Sequence, residues 1–282
     1  MKKIFLLGFL IFLSNCTINK MVVRSASGFM ESGQVVLYRE EDLTIAEHFL
    51  ANNLKTIELL LEKDPKNQDL NCLAAQGFGA YAFGFVEDRD PVAASKLYVR
   101  GVHYGIRSLP EKKKFDTTVK PKELEILLQQ YDAQDIPALF WTGYNWGLYV
   151  LQNLDKPENL IDLAKIELIM RRCLELDEAY YFYSVDLFFG AYHAARPRIL
   201  GGNPDKGREF FLNNIKMNDN ILLGKLFYAQ YYARQTYNET LFDQLIDEIL
   251  HFNPEQNPDY RLLNAIAMKK AQILKEKKSD YF

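Results

Sequence analysis

Residues 193–218 read HAARPRILGGNPDKGREFFLNNIKMN, and how Gly201-Gly202-Asn203-Pro204 is read decides the fold. A phosphate-cradling loop needs a β-strand before its glycines and, in the P-loop form, a Lys followed by Ser or Thr after them. Here helical patterning runs from about Glu178 to Arg196, no strand precedes the glycines, and Lys206-Gly207 falls in the wrong register. A second helical pattern runs from about Pro204 to Met217. Glycine supplies the left-handed backbone that ends such a connection, and Asn203 offers a side-chain cap. Pro204 costs nothing in a first turn whose N–H groups have no intrahelical partner. GGNP is therefore expected to be a turn between two helices.

Working outward, nearly every segment has helical spacing. Leu43, Ala46, Leu50, Leu54, Ile57 and Leu61 recur at intervals of three and four, one face of a helix that stops at Lys63-Asp64-Pro65. The next helix, about Leu70 to Val86, carries Ala74, Ala75, Gly77, Gly79, Ala80, Ala82 and Gly84, which predicts a central element that neighbours approach closely. Asp90-Pro91, Asp135-Ile136-Pro137, Asn203-Pro204 and Asn257-Pro258 mark further helix starts. No stretch alternates strictly between turn signals, so almost no sheet is expected. The sequences LLEKDP, CLELDE, IKMNDN and ILHFNP recur, with Asp64, Asp177, Asn218 and Asn253 separated by 113, 41 and 35 residues. The first interval accommodates three units of the same size. A period of about 34–47 residues holding two helices is that of an α-solenoid. The expected fold class is all-α, a tetratricopeptide-like helical hairpin solenoid of about eleven helices, forming one domain over residues 40–282.

The chain has 282 residues, 48% hydrophobic and 25% charged, which suits a folded domain with a substantial core. A net charge of −3 provides no electrostatic footprint for nucleic acid. At the start, MKKIFLLGFLIFLSNC places two lysines before an apolar run from Ile4 to Leu13. That run is about half the roughly 20 residues a membrane-spanning helix needs, and it suits a secretory signal. Residues 1–15 are expected to be a lipoprotein-type signal peptide, with Cys16 the lipid-anchored N-terminus and residues 16–39 a tether. Leu13-Ser14-Asn15-Cys16 resembles a bacterial lipobox, although Asn15 stands where Gly, Ala or Ser is usual. Cys72 and Cys173 sit in apolar helical patterns and are expected to be free thiols. The four histidines are too scattered to suggest a metal site, and no cofactor is implied.

Enzyme signatures such as G-x-S-x-G and H-E-x-x-H are absent. The segment DIPALFWTGYNWGLYVL, residues 135–151, holds both tryptophans. Trp141 and Tyr144 share a helix face, Trp146 lies on another, and Gly143 and Gly147 leave a smooth strip. Aromatic rings with Asn145 beside them have the chemistry of a small-ligand pocket, and equally of an ordinary aromatic core. The clusters Tyr180-Tyr181-Phe182-Tyr183 and Phe227-Tyr228 with Tyr231-Tyr232 leave the same two readings open. Arg196 either caps the end of its own helix or anchors an anionic ligand group. The candidate ligand residues are thus Trp141, Tyr144, Asn145 and Arg196.

Several stretches together resemble the T-component family of tripartite ATP-independent periplasmic (TRAP) transporters. They are NLKTIELLLEKDPKN, AAQGFGAYAFGFVED, KLYVRGVHYGIRSL, ALFWTGYNWGLYV, AYYFYSVDLFFGAYHAARPRILGGNPDKGREFF, YYARQ and RLLNAIAMKKAQILKEKKSDYF. Ser184 and Asp186 stand where smaller or apolar residues are expected. The resemblance implies a periplasmic lipoprotein, membrane-bound through its lipid anchor, with a tetratricopeptide-like fold and no catalysis. It also implies a homotrimer and an extracytoplasmic solute-binding protein as partner, with a hydrophobic or organic-acid ligand. The rival reading is an envelope-assembly adaptor that uses the same solenoid to bind proteins without a transport role.

Overall fold

Asp42 opens the first complete helix: its carboxylate accepts from the backbone N–H groups of Thr44 and Ile45, and α1 runs Leu43–Leu61 with Ala46, Leu50, Leu54, Ile57 and Leu61 buried. The structure, a computed structural model, describes residues 32–153, 156–196 and 198–282. The expected signal peptide and Cys16 lie outside them. Residues 32–38, expected as tether, are helical. After α1 come α2 (Gln68–Tyr81), α3 (Pro91–Ser108), α4 (Pro121–Leu128), α5 (Ile136–Leu151) and α6 (Pro157–Leu176). There follow α7 (Tyr180–Ala194), α8 (Pro204–Met217), α9 (Leu223–Phe227), α10 (Glu239–Leu250) and α11 (Arg261–Glu276). The described residues are all-α, without strand or sheet. None of their helices is long and apolar enough to cross a membrane.

The punctuation residues act largely as their chemistry dictates. Asp90 caps α3 through the Ala93 N–H, and Asn203 caps α8 through the Lys206 N–H. GGNP is a turn, as expected: Gly201 has a φ of 81°, and the Asn203 N–H donates to the His193 carbonyl at 2.9 Å. Two proline sites differ. Asp135 does not cap α5; its carboxylate turns back to the Asp132 N–H and to Lys113. Asn257 donates to the Asn220 carbonyl, and a 3₁₀ turn, Pro258–Tyr260, intervenes before α11. Cys72 and Cys173 are both free. Burial pushes the Cys72 thiol up to about 12, so it is protonated and unreactive at neutral pH.

Successive helices pack in pairs, α1 on α2, α2 on α3, α5 on α6 and α7 on α8, which suits a hairpin repeat. The small residues of α2 and α3 permit this closeness. A Cβ on Gly101 would stand 2.2 Å from Asn145 Oδ1, and one on Gly105 would stand 2.4 Å from Thr142 Oγ1, so α3 meets α5 almost backbone to side chain. The stack then closes on itself. Helix α11 returns to α1, and its Lys270 bridges Glu87 at 2.6 Å and Asp88 at 2.9 Å in the turn after α2. Tyr98 and Gln152 also donate to Glu87, and Lys270 lies 4.4 Å from the centre of the Phe83 ring. This buried lysine is thereby fully engaged. The α2 helix and α9 both end in π-helical turns, Ala82–Val86 and Tyr228–Ala233. These turns re-aim Phe83 and Tyr231 toward the interior that the closure encloses.

Candidate functional site

Two apolar chambers lie inside the closed stack. The inner one holds about 850 Å³ of unfilled space, including its opening. Trp141, Tyr144 and Leu148 of α5 form one wall, Leu187 and Phe188 of α7 another, and Phe83, Phe227 and Tyr231 complete it. The outer one holds about 740 Å³ and is walled by Leu50, Leu54 and Ile57 of α1, by Gln76 and Gly77 of α2, and by Leu262 of α11. The helical segment 32–38 lays Gln34, Leu37 and Tyr38 over it. Ala80, Tyr181, Leu263 and Ile266 line both chambers. Three of these sit on regular helices, but Tyr181 does not.

Tyr181, Phe182 and Tyr183 have φ values of 47°, 61° and 54°, a run of three left-handed residues at the start of α7. Such a conformation costs L-residues about 1–2 kcal/mol each, so surrounding contacts must hold it. Asn214 donates to the carbonyls of Phe182 and Tyr183, both at 3.0 Å, and Asn218 donates to Phe182 at 2.9 Å. The Tyr181 hydroxyl lies 2.9 Å from that of Tyr38, and its ring stands edge-on to Trp141 with centroids 4.7 Å apart. Burial raises the Tyr181 hydroxyl well above its ordinary pKa. Burial first, and the Glu87 carboxylate second, raise Tyr144 and Tyr231 as well. The hydroxyls in the inner chamber are therefore neutral hydrogen-bonding groups. Among the described residues, the inner-chamber lining consists of apolar and aromatic residues with Ser184 and these tyrosines, and includes no lysine, arginine or histidine.

The residues singled out from the sequence separate. Trp141 and Tyr144 come together on the inner chamber wall, and Tyr181, Phe227 and Tyr231 from the other two aromatic clusters join them. Trp146 faces away, donating to Asp162 at 3.1 Å. Asn145 is fully buried outside the chamber lining. Its Nδ2 donates to the Ala75 carbonyl at 3.0 Å and the Trp141 carbonyl at 2.7 Å, and its Oδ1 is wedged against Gly79 and Gly101. It ties α2 and α3 to α5. Arg196 also stands away from both chambers. Its Nε donates to the Tyr192 carbonyl at 2.7 Å and its guanidinium lies 3.6 Å from the centre of the Tyr192 ring, the end-of-helix arrangement. Sequence reasoning missed Tyr38, Leu263 and Ile266. The closure of α11 onto α1 brings Leu263 and Ile266 to the chambers, and the segment 32–38 brings Tyr38; no local pattern carries either signal.

A family model described as TRAP transporter T-component matches residues 39–282. An uncharacterised protein of Treponema pallidum (strain Nichols) is 25% identical over 267 residues, covering 88% of this chain and 82% of that protein.

Proposed function

The chain belongs to the TRAP transporter T-component family, and from that membership we propose that it is a periplasmic lipoprotein that serves such a transporter by holding a small apolar ligand beside a solute-binding protein. Cys16 is the anchor in this reading, and three copies form the working unit. The protein is an accessory component of a transport system and performs no catalysis. The observation that supports ligand binding is the inner chamber, where Trp141, Tyr144 and Tyr231 combine apolar surface with neutral hydroxyls. Ligand pockets are built this way, predominantly apolar with a few placed polar groups. Among the described residues that lining carries no cation, which favours a neutral hydrophobic ligand over an organic acid, whose carboxylate would lose its hydration without a paired charge.

Two experiments test this. The protein is used as bait in envelope extract and is also mixed directly with the soluble solute-binding protein of a TRAP transporter. Association in both supports the partnership, and failure in both refutes it. Separately, the neutral dye N-phenylnaphthylamine is titrated in. Saturable binding that Trp141→Ala weakens at least tenfold supports the chamber as the ligand site, whereas unaltered binding removes it.

A further inference from the structure

We propose that Tyr181 is the partition that sets how long an apolar ligand the protein accepts, its ring dividing one potential channel into two chambers. The proposal rests on the ligand reading above, and it adds a specificity-determining residue to it.

Four residues line both chambers, and Ala80, Leu263 and Ile266 are fixed on helices α2 and α11. Tyr181 alone stands on backbone of another kind, the left-handed run that opens α7. A tyrosine has no intrinsic reason to adopt φ 47°, and neither do Phe182 and Tyr183 beside it. Strain of this sort persists only where neighbours over-determine it, and it concentrates where a conformational choice matters. The neighbours here are specific. Asn214 and Asn218, one helical turn apart across the C-terminal end of α8, hold the two carbonyls that the turn exposes. Tyr38, on the segment covering the outer chamber, holds the hydroxyl. The ring is thus fastened at its tip from one chamber and braced by Trp141 from the other.

Opening requires the ring to leave its edge-on contact with Trp141 as well as its hydroxyl contact with Tyr38, and relaxation of the left-handed run then swings it from between the chambers. Short apolar chains then fit the inner chamber with Tyr181 in place, while longer ones require its displacement and extend into the outer chamber toward Gln34 and Gln76, which can receive a polar end.

The test uses the chain from residue 17 onward, which contains every helix described above. Saturated primary alcohols from octanol to octadecanol compete against N-phenylnaphthylamine. In the native protein affinity should rise about fourfold per methylene until the inner chamber is full, then level off. In Tyr181→Ala the rise should continue past that length, so the two proteins diverge by about fourfold for each further methylene. Tyr181→Phe keeps the ring and loses only the hydroxyl contact, and it should retain the native plateau. An identical plateau in Tyr181→Ala, or a plateau lost equally in Tyr181→Phe, would overturn the partition. If no alcohol binds either protein, the ligand reading fails, and a crystal structure of Tyr181→Ala decides the partition by itself. One continuous void supports it; two voids still divided by the remaining side chains overturn it.

Discussion

Adding one methyl group at Gly101 should destabilise the protein, although alanine is the better helix former by about 1 kcal/mol. The reason is Asn145. A Cβ at position 101 would lie 2.2 Å from its Oδ1 and 2.4 Å from its Cγ, too close for any neighbour to tolerate. Asn145 has no free space to retreat into, because it is fully buried and its other side meets Gly79. Its displacement sacrifices the hydrogen bonds to the Ala75 and Trp141 carbonyls, about 1 kcal/mol net apiece. Overpacking adds about 1–3 kcal/mol. Against the gain in propensity, a net loss of about 2–4 kcal/mol remains, which for a chain of this size lowers Tm by roughly 4–16 °C. Asn145→Ala alone should cost a similar amount through the same two bonds and the space vacated. Combined, the new methyl enters that space, so the double variant should lose clearly less than the sum, with a coupling of at least about 1 kcal/mol. Urea unfolding followed by far-UV circular dichroism measures all four corners of the cycle. Additivity within about 0.5 kcal/mol would refute the wedge. So would a large change in N-phenylnaphthylamine affinity in folded Asn145→Ala, because the residue would then be touching the ligand.

Three further outcomes are expected. Burial raises the Asp186 carboxyl to about 6, against an unfolded value near 3.9, so the folded state binds its proton more tightly, and stability falls as pH rises through that interval. Asp186→Asn, which can still accept from Asn213, should therefore stabilise the protein by about 1–2 kcal/mol at pH 7 and by nothing at pH 4, as read by unfolding at both pH values. Lys270→Met leaves Glu87 and Asp88 uncompensated and should cost about 3 kcal/mol, part of which Glu87→Gln restores; a neutral result in urea unfolding would show that the cluster is solvated. Arg196→Ala should lower stability by about 1 kcal/mol through its lost carbonyl bond and stacking, and calorimetric titration of N-phenylnaphthylamine should give an unchanged affinity.

Local chemistry made most helices legible. Asp42, Asp90 and Asn203 cap where their positions beside apolar periodicity or proline predict, and Gly201 takes the left-handed turn between α7 and α8. The spacing of Trp141 and Tyr144 likewise placed two chamber residues correctly on one face. Asn145 was legible only as a polar residue near aromatics; its Ala75 hydrogen bond and the glycines it packs against, Gly79 and Gly101, come from two other helices. The small-residue content of α2 signalled close approach but not which side chain fills the approach. Least legible was the backbone of Tyr181–Tyr183. It contains neither Gly nor Asn, and the groups that hold it, Tyr38, Asn214 and Asn218, are remote in sequence.

The return of α11 to the beginning of the stack has a mechanical meaning. Open arrays of helix pairs contact only their neighbours and behave as springs, lengthening or coiling as small rotations add along the array. Here Lys270 fastens the last coil to the acidic corner beyond the second, so rotations cannot accumulate and the molecule cannot breathe by stretching. Any change of interior volume must then be made by individual side chains and short backbone runs, and damage to the final helix should loosen the first as readily as its own neighbours.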